Sequence, residues 1–226
     1  FGDGSYDPKG RDEGLYPNFI TAYQSTESLK ITYSFVADDF YALMDPTEGF
    51  DAIGSPDLGV GRIPVNTVEQ AGMAVEKIRS YIVASAENTD DWRNEIYFIA
   101  DDEDGNTHVN QAEKLAAIID TASKQYHVNK IYHDAYQQIS LPGGDRYPEV
   151  NENIDEAVRN GALLFNYTGH GGELGWSSEK VLNIPTVNSW DNLDKLPVFI
   201  TATCEFSRFD NQEFESAGEL VFLNEQ

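Results

Sequence analysis

The sequence predicts an α/β chain, a mostly parallel sheet with helices on both faces. Three observations lead there. Short apolar runs alternate with helix-period segments through the second half, which is the pattern of βαβ units. Two of those runs, Glu95–Ala100 (EIYFIA) and Ala162–Tyr167 (ALLFNY), are apolar on nearly every residue, as strands covered on both faces are. Hydrophobic residues make up 40% and aromatics 12% of the chain, a globular composition without repeats or low-complexity tracts.

The elements follow in order. Phe1 to about Pro64 is rich in turn-forming clusters (Gly2-Asp3-Gly4, Asp7-Pro8, Asp57-Leu58-Gly59), with short extended stretches such as Ile31–Val36. A helix follows, capped by Asn66 or Thr67, in which Ala71, Val75, Ile78 and Ile82 recur at helical spacing to about Ala84. The polar stretch Ala86–Trp92 is the connection to the second half. There, strands are expected at Glu95–Ala100, Val128–His133, Ala162–Tyr167 and Pro197–Thr203. Helices are expected at Val109–Lys124, with Leu115, Ile118 and Ile119 on one face, and at Asn151–Asn160, ended by Gly161. Ser216–Leu223 begins a last amphipathic helix.

Charge and cysteine content narrow the function. The chain has 226 residues, 39 acidic against 15 basic, for a net charge of −24. Such a surface repels phosphates, so no nucleic-acid partner is expected. No apolar run is long enough to insert this segment in a membrane. The chain opens with Phe1 and reads as a piece of a longer protein. A single cysteine, Cys204, excludes an internal disulfide framework and a zinc site of several thiolates. It is a buried filler, a free thiol or a nucleophile.

Three strands end in chemically capable residues: Asp101-Asp102-Glu103-Asp104, Thr168-Gly169-His170-Gly171-Gly172-Glu173, and Cys204-Glu205. In a parallel sheet these share the carboxyl edge, where ligands collect. The glycines around His170 allow a tight turn and expose N–H groups to a developing oxyanion. A thiol at the end of the next strand would draw its base from that imidazole. The acidic run offers an orienting carboxylate, calcium ligands or a solvated loop. Asp38-Asp39 and Asp45, Glu48 and Asp51 are similar acidic loops. His108, His127 and His133 read as surface or helix-end residues, and Trp176 and Trp190 as core or pocket-wall residues. The phosphate-binding G-x-x-x-x-G-K-[ST], the dinucleotide G-x-G-x-x-G, the serine elbow G-x-S-x-G and the zinc helix H-E-x-x-H are absent.

The run Asn166-Tyr167-Thr168-Gly169-His170-Gly171-Gly172-Glu173, with Thr201-Ala202-Thr203-Cys204 after it, resembles the gingipain-type cysteine peptidases, relatives of the caspases. Phe1–Asp7, Leu58–Val65, Ala100-Asp101-Asp102, Ala202–Arg208 and Ser216–Glu219 extend the likeness, towards the sortase-like peptidases of type IX secretion. The resemblance implies that residues 1–89 are part of a first α/β subdomain of the catalytic unit, and that 90–226 are the caspase-like catalytic subdomain, cut short at its C-terminal end. It implies Cys204 as nucleophile, His170 as base, and a carboxylate among Asp101, Asp102 and Glu103, of which Asp102 is favoured. The N–H groups of Gly171 and Cys204 would form the oxyanion hole, and His108, Glu173 and Ala202 would line the substrate pocket. Arginine-specific relatives carry an acidic residue near the place of His108, so arginine cleavage is not expected here.

Implied partners are proteins bearing C-terminal sorting signals, and other secretion components, at the outer-membrane surface of a bacterium. No cofactor is required and no metal residues are assigned, with calcium admitted as a structural ion. Two other functions fit the same residues: a non-catalytic cargo- or partner-binding module, and a calcium-stabilised structural domain at the cell surface.

Overall fold

The run Glu95–Ala100 forms strand β1, an inner strand of a four-stranded parallel sheet. The structure is a computed structural model that describes residues 1–11, 18–25, 35–87, 91–211 and 213–224, with backbone alone at 84–87. Strand β2 (His127–Tyr132) pairs with one side of β1, from Glu95 opposite His127 to Ala100 opposite Tyr132. Strand β3 (Leu164–Thr168) pairs with the other side, from Ile96 opposite Leu164 to Ala100 opposite Thr168. Strand β4 (Val198–Ala202) pairs with β3 and ends at Ala202 opposite Thr168. The order is β4-β3-β1-β2. The chain therefore leaves β1 in one direction and returns to its other side, which makes the carboxyl ends of β1 and β3 the switch point of the sheet.

Alternate residues face opposite layers. Ile99, Phe165 and Tyr167 pack with Val150, Ile154, Ala157 and Val158 of helix α3 (Pro148–Asn160), all buried. Tyr97, Phe165 and Phe199 stack in a row across three strands, with ring centroids 5.0 and 5.1 Å apart. On the other face Ile96 and Phe98 meet Ala116 of helix α2 (Thr107–Ala122). The apolar stripe expected on α2 is corrected here. Ala112, Ala116 and Ile119 face the sheet, while Leu115 and Ile118 are exposed, because the small alanines let the helix lie close against the strands.

Helix ends carry recognisable signals. Helix α1 (Val68–Glu87) starts where Thr67 Oγ1 accepts the N–H of Gln70, and the Gln70 side chain accepts in return from the N–H groups of Asn66 and Thr67. Helix α3 has Pro148 in its first turn and stops at Gly161, whose φ of 90° suits glycine. Helix α4 (Ala217–Leu223) opens with a capping box between Ser216 and Glu219. Two small antiparallel elements were not expected. One is a three-stranded ribbon of Gly171–Gly172, Gly175–Trp176 and Leu182–Asn183. The other is the hairpin of Ile139–Leu141 with Gly144–Arg146.

The packing divides the chain into two units, Phe1–Ala74 with Arg208–Glu215, and Val75–Ser207 with Ser216–Gln226. Arg62 organises the first unit. Its guanidinium, almost wholly buried, holds Asp38 through two 2.7 Å bonds and donates to the carbonyls of Gly2, Ile20 and Thr21. The same group lies 4.3 Å over the Phe209 ring. A two-residue ladder joins Tyr23–Gln24 to Val36–Ala37, and most of the expected extended stretch Ile31–Val36 lies outside the described residues. No helix among the described residues is long and apolar enough to cross a membrane.

Candidate active site

Asp101 follows β1 and is fully buried at the switch point. Its N–H donates to the Thr168 carbonyl, 3.2 Å, extending the ladder by one rung. One carboxylate oxygen accepts the N–H of Glu103 at 3.1 Å and the other the N–H of His170 at 3.0 Å. Asp101 thus positions the backbone of the histidine loop and does not meet the ring. Gly169 makes this possible, since a Cβ there would overlap the Asp101 Cβ and lie 2.6 Å from the Tyr167 hydroxyl. That hydroxyl donates to the His170 carbonyl at 2.6 Å, and its ring stacks on Trp176, with centroids 4.3 Å apart. Burial, with Asp101 and Glu179 nearby, pushes the Tyr167 pKa far up, so the phenol stays a donor.

The carboxylate at the His170 ring belongs to Asp104, whose Oδ2 is 3.0 Å from Nε2. Of Asp101, Asp102 and Glu103, the resemblance favours Asp102 for that role. That residue instead accepts the Tyr147 hydroxyl at 2.7 Å, and its other oxygen lies 3.7 Å from His133. The cause is local backbone. Asp104, Gly105 and Asn106 have φ of 56°, 61° and 65°, a left-handed run that carries Asp104 to the imidazole. Asp, Gly and Asn are the residues that tolerate such angles, so the D-G-N tripeptide was the available signal. His108, just inside α2, sets its ring edge-on to His170 at 5.1 Å and has Nε2 3.8 Å from the same Asp104 oxygen.

Cys204 is exposed and unpaired by any disulfide. Because Ala202 is opposite Thr168, Cys204 and His170 each lie two residues beyond the last paired rung of neighbouring parallel strands. The two loops touch: the Gly169 N–H donates to the Ala202 carbonyl at 3.3 Å, and any side chain on Gly171 would run into Thr203 Oγ1. Gly171 itself opens the ribbon opposite Trp176. Ala202 is exposed at the end of β4, and Glu173 accepts the Ala217 N–H through its carbonyl at 2.7 Å.

His133 is also corrected. Expected as a surface or helix-end residue, it is fully buried directly after β2, because the β2 end is covered by the Tyr147 ring, 5.4 Å away, and by the acidic loop. Burial pushes its pKa down, against the opposing pull of Asp101, Asp102 and Glu179. The acidic run read from the sequence includes Asp104 without singling it out, and nothing in the sequence gives Tyr147, Tyr167 or Glu179 a role. Only Asp104 carried a local signature.

Among solved structures the fold is similar to the Arg-specific cysteine proteinase gingipain R, with 18% identity, a TM-score of 0.65 and 84% of this chain covered. It is similar as well to a structure described as a protease, with 19% identity, a TM-score of 0.58 and 84% of this chain covered. The chain spans 40% and 37% of those two proteins. No curated protein sequence matches it. The description of peptidase family C25 matches residues 1–226, from one end of the chain to the other, and the chain belongs to that family.

Proposed function

We propose that this chain forms the chemical centre of a cysteine peptidase, with Cys204 as nucleophile and His170 as base. The observation that carries the reading is the placement of Cys204 and His170 at equivalent steps past adjacent parallel strands, with Asp104 on the ring. An acceptor at Nε2 fixes the tautomer with its proton there, so Nδ1 carries the lone pair. Nδ1 takes the Cys204 proton, and the thiolate attacks the scissile carbonyl. The N–H groups of Gly171 and Cys204 receive the oxyanion. The imidazolium then protonates the leaving amine, and an acyl-enzyme remains on Sγ. Water, or an amine acceptor, attacks that thioester and frees the enzyme.

The finer reading, a sortase that removes C-terminal sorting signals from secreted cargo at the outer bacterial surface, is supported by the likeness of Phe1–Asp7, Leu58–Val65, Ala202–Arg208 and Ser216–Glu219 to sortase-like peptidases. His108 and Glu173 would line its pocket with Ala202. Without a fixed carboxylate in place of His108, a cationic side chain gains no dedicated partner, so small or polar residues are favoured at the cleavage site. Mass spectrometry after treatment with a peptidyl thiol electrophile tests the chemistry. Labelling confined to Cys204 and lost in His170→Ala supports it, and equal labelling in His170→Ala refutes the dyad. Efficient hydrolysis of small arginyl amides by the intact protein would refute the specificity.

A further inference from the structure

We infer that Asp101, Asp102, His133 and Glu179 form a buried site for one divalent metal ion of the zinc class, which braces the His170 loop from behind. The four side chains come from three places: the end of β1, the residue after β2, and the segment that follows Gly175–Trp176. One ligating atom from each lies within 4.8 Å of all the others. Asp101 and His133 are fully buried, Glu179 is 4% exposed, and the Asp102 side chain is 24% exposed. Three carboxylates drawn this close, two of them buried, favour a cation among them.

A second observation points to the same ligand. Both ring nitrogens of His133, Oδ1 of Asp102 and Oε2 of Glu179 are buried without a hydrogen-bond partner. Interior polar atoms are seldom left so. Protonation of His133 does not account for them. Its Nδ1 is 3.7 Å from Asp102 Oδ1, beyond hydrogen-bond length, and Nε2 has no acceptor. A cation among the four reaches all three residues at once.

The donor set selects the class. An imidazole nitrogen with three carboxylate oxygens suits a small transition-metal ion. Calcium takes about 6–8 oxygens and magnesium retains waters, so both fit a four-residue site with a ring nitrogen less well. The remaining bonds on the carboxylates are those that orient metal ligands. Tyr147 donates to Asp102 at 2.7 Å, and Asp101 accepts from the N–H groups of Glu103 and His170. Through Asp101 the ion is one residue removed from the backbone of His170. The assignment stands on these contacts and does not depend on the peptidase reading.

The test is metal analysis of the intact protein, purified without a metal-affinity tag. One equivalent of a zinc-class ion is expected. After chelation, adding ZnCl2 in about 100-fold excess over its dissociation constant should raise Tm by roughly 5–10 °C, and CaCl2 should not. Glu179→Gln and His133→Ala should each lose the ion, and circular dichroism shows whether they fold. If neither folds, the visible spectrum of the Co2+-loaded wild type decides: intense tetrahedral bands support the site, and the weak pattern of octahedral Co2+ overturns it. Two further results overturn the assignment. One is a wild type without metal whose Tm does not respond to ZnCl2. The other is an ion kept in His133→Ala and lost in His170→Ala, which would place it at Asp101, His108 and His170.

Discussion

Replacing Asp104 by Asn tests whether this carboxylate serves the His170 ring. When Cys204 gives up its proton the imidazole becomes a cation 3.0 Å from Asp104 Oδ2. Both side chains are about half exposed, 51% and 60%, so the water limit of the dielectric applies. With ε of about 80 and that separation, Coulomb attraction is worth about 1.4 kcal/mol, which is about tenfold in rate. A buried pair would be worth several times more, and the exposure rules that out. The assay is the second-order rate of Cys204 labelling by a peptidyl chloromethyl ketone, followed by mass spectrometry in the intact protein. Asp104→Asn should label about tenfold more slowly, with the gap narrowing as salt screens the pair. Asp102→Asn should slow labelling less, since its contacts are to Tyr147 and His133. If Asp104→Asn labels at the wild-type rate while Asp102→Asn is severely impaired, the ring draws its carboxylate from elsewhere and the reasoning fails.

Other outcomes follow from packing and charge. Gly169→Ala forces a methyl against Asp101 and Tyr167. It should cost about 1–3 kcal/mol in denaturant unfolding and slow labelling as well, because the loop carrying His170 must shift. Phe165→Ala empties the middle of the Tyr97–Phe165–Phe199 stack and should cost about 3–5 kcal/mol, read as a lower denaturation midpoint. Burial raises the Asp3 carboxyl to about 6, against the opposing bond from the Gly4 N–H. A raised acid favours the folded state below its unfolded pKa and loses that contribution as pH rises through the folded value. From pH 4 to 7 the wild type should therefore lose about 1–2 kcal/mol relative to Asp3→Asn, after allowance for the exposed part of the group. A difference that stays constant with pH would show that Asp3 does not titrate in this way.

The sheet was legible because its signal is local. Glu95–Ala100 begins and ends where its apolar run does, and β3 and β4 fall within a residue or two of theirs. Burial on both faces leaves no room for polar interruption, and turn residues mark the ends. Cys204 and His170 could be assigned to one edge because parallel pairing aligns the strand ends. The partners of those residues could not. His133 is buried by Tyr147 and the acidic loop, which come from separate segments, so nothing in its neighbourhood along the chain announces it. Leu115 and Ile118 misled for the opposite reason. They fit a helical period, yet closeness to the sheet chose the smaller alanines. Asp104 lay between these cases, with its signature written in backbone preference and not in charge.

The left-handed turn at Asp104–Asn106 sets the alphabet open to position 104. The backbone there admits Gly, Asn and Asp with little strain, whereas longer or β-branched side chains resist a φ of 56°. The imidazole opposite asks for an anion, which Gly and Asn lack. Glutamate would keep the charge at a cost in backbone strain, and asparagine would keep the turn and forfeit the charge. Of the twenty amino acids, aspartate meets both demands with the least backbone strain. A randomised library at this codon, sorted once for folding and once for thiol reactivity, should return two different survivor sets whose intersection is led by aspartate.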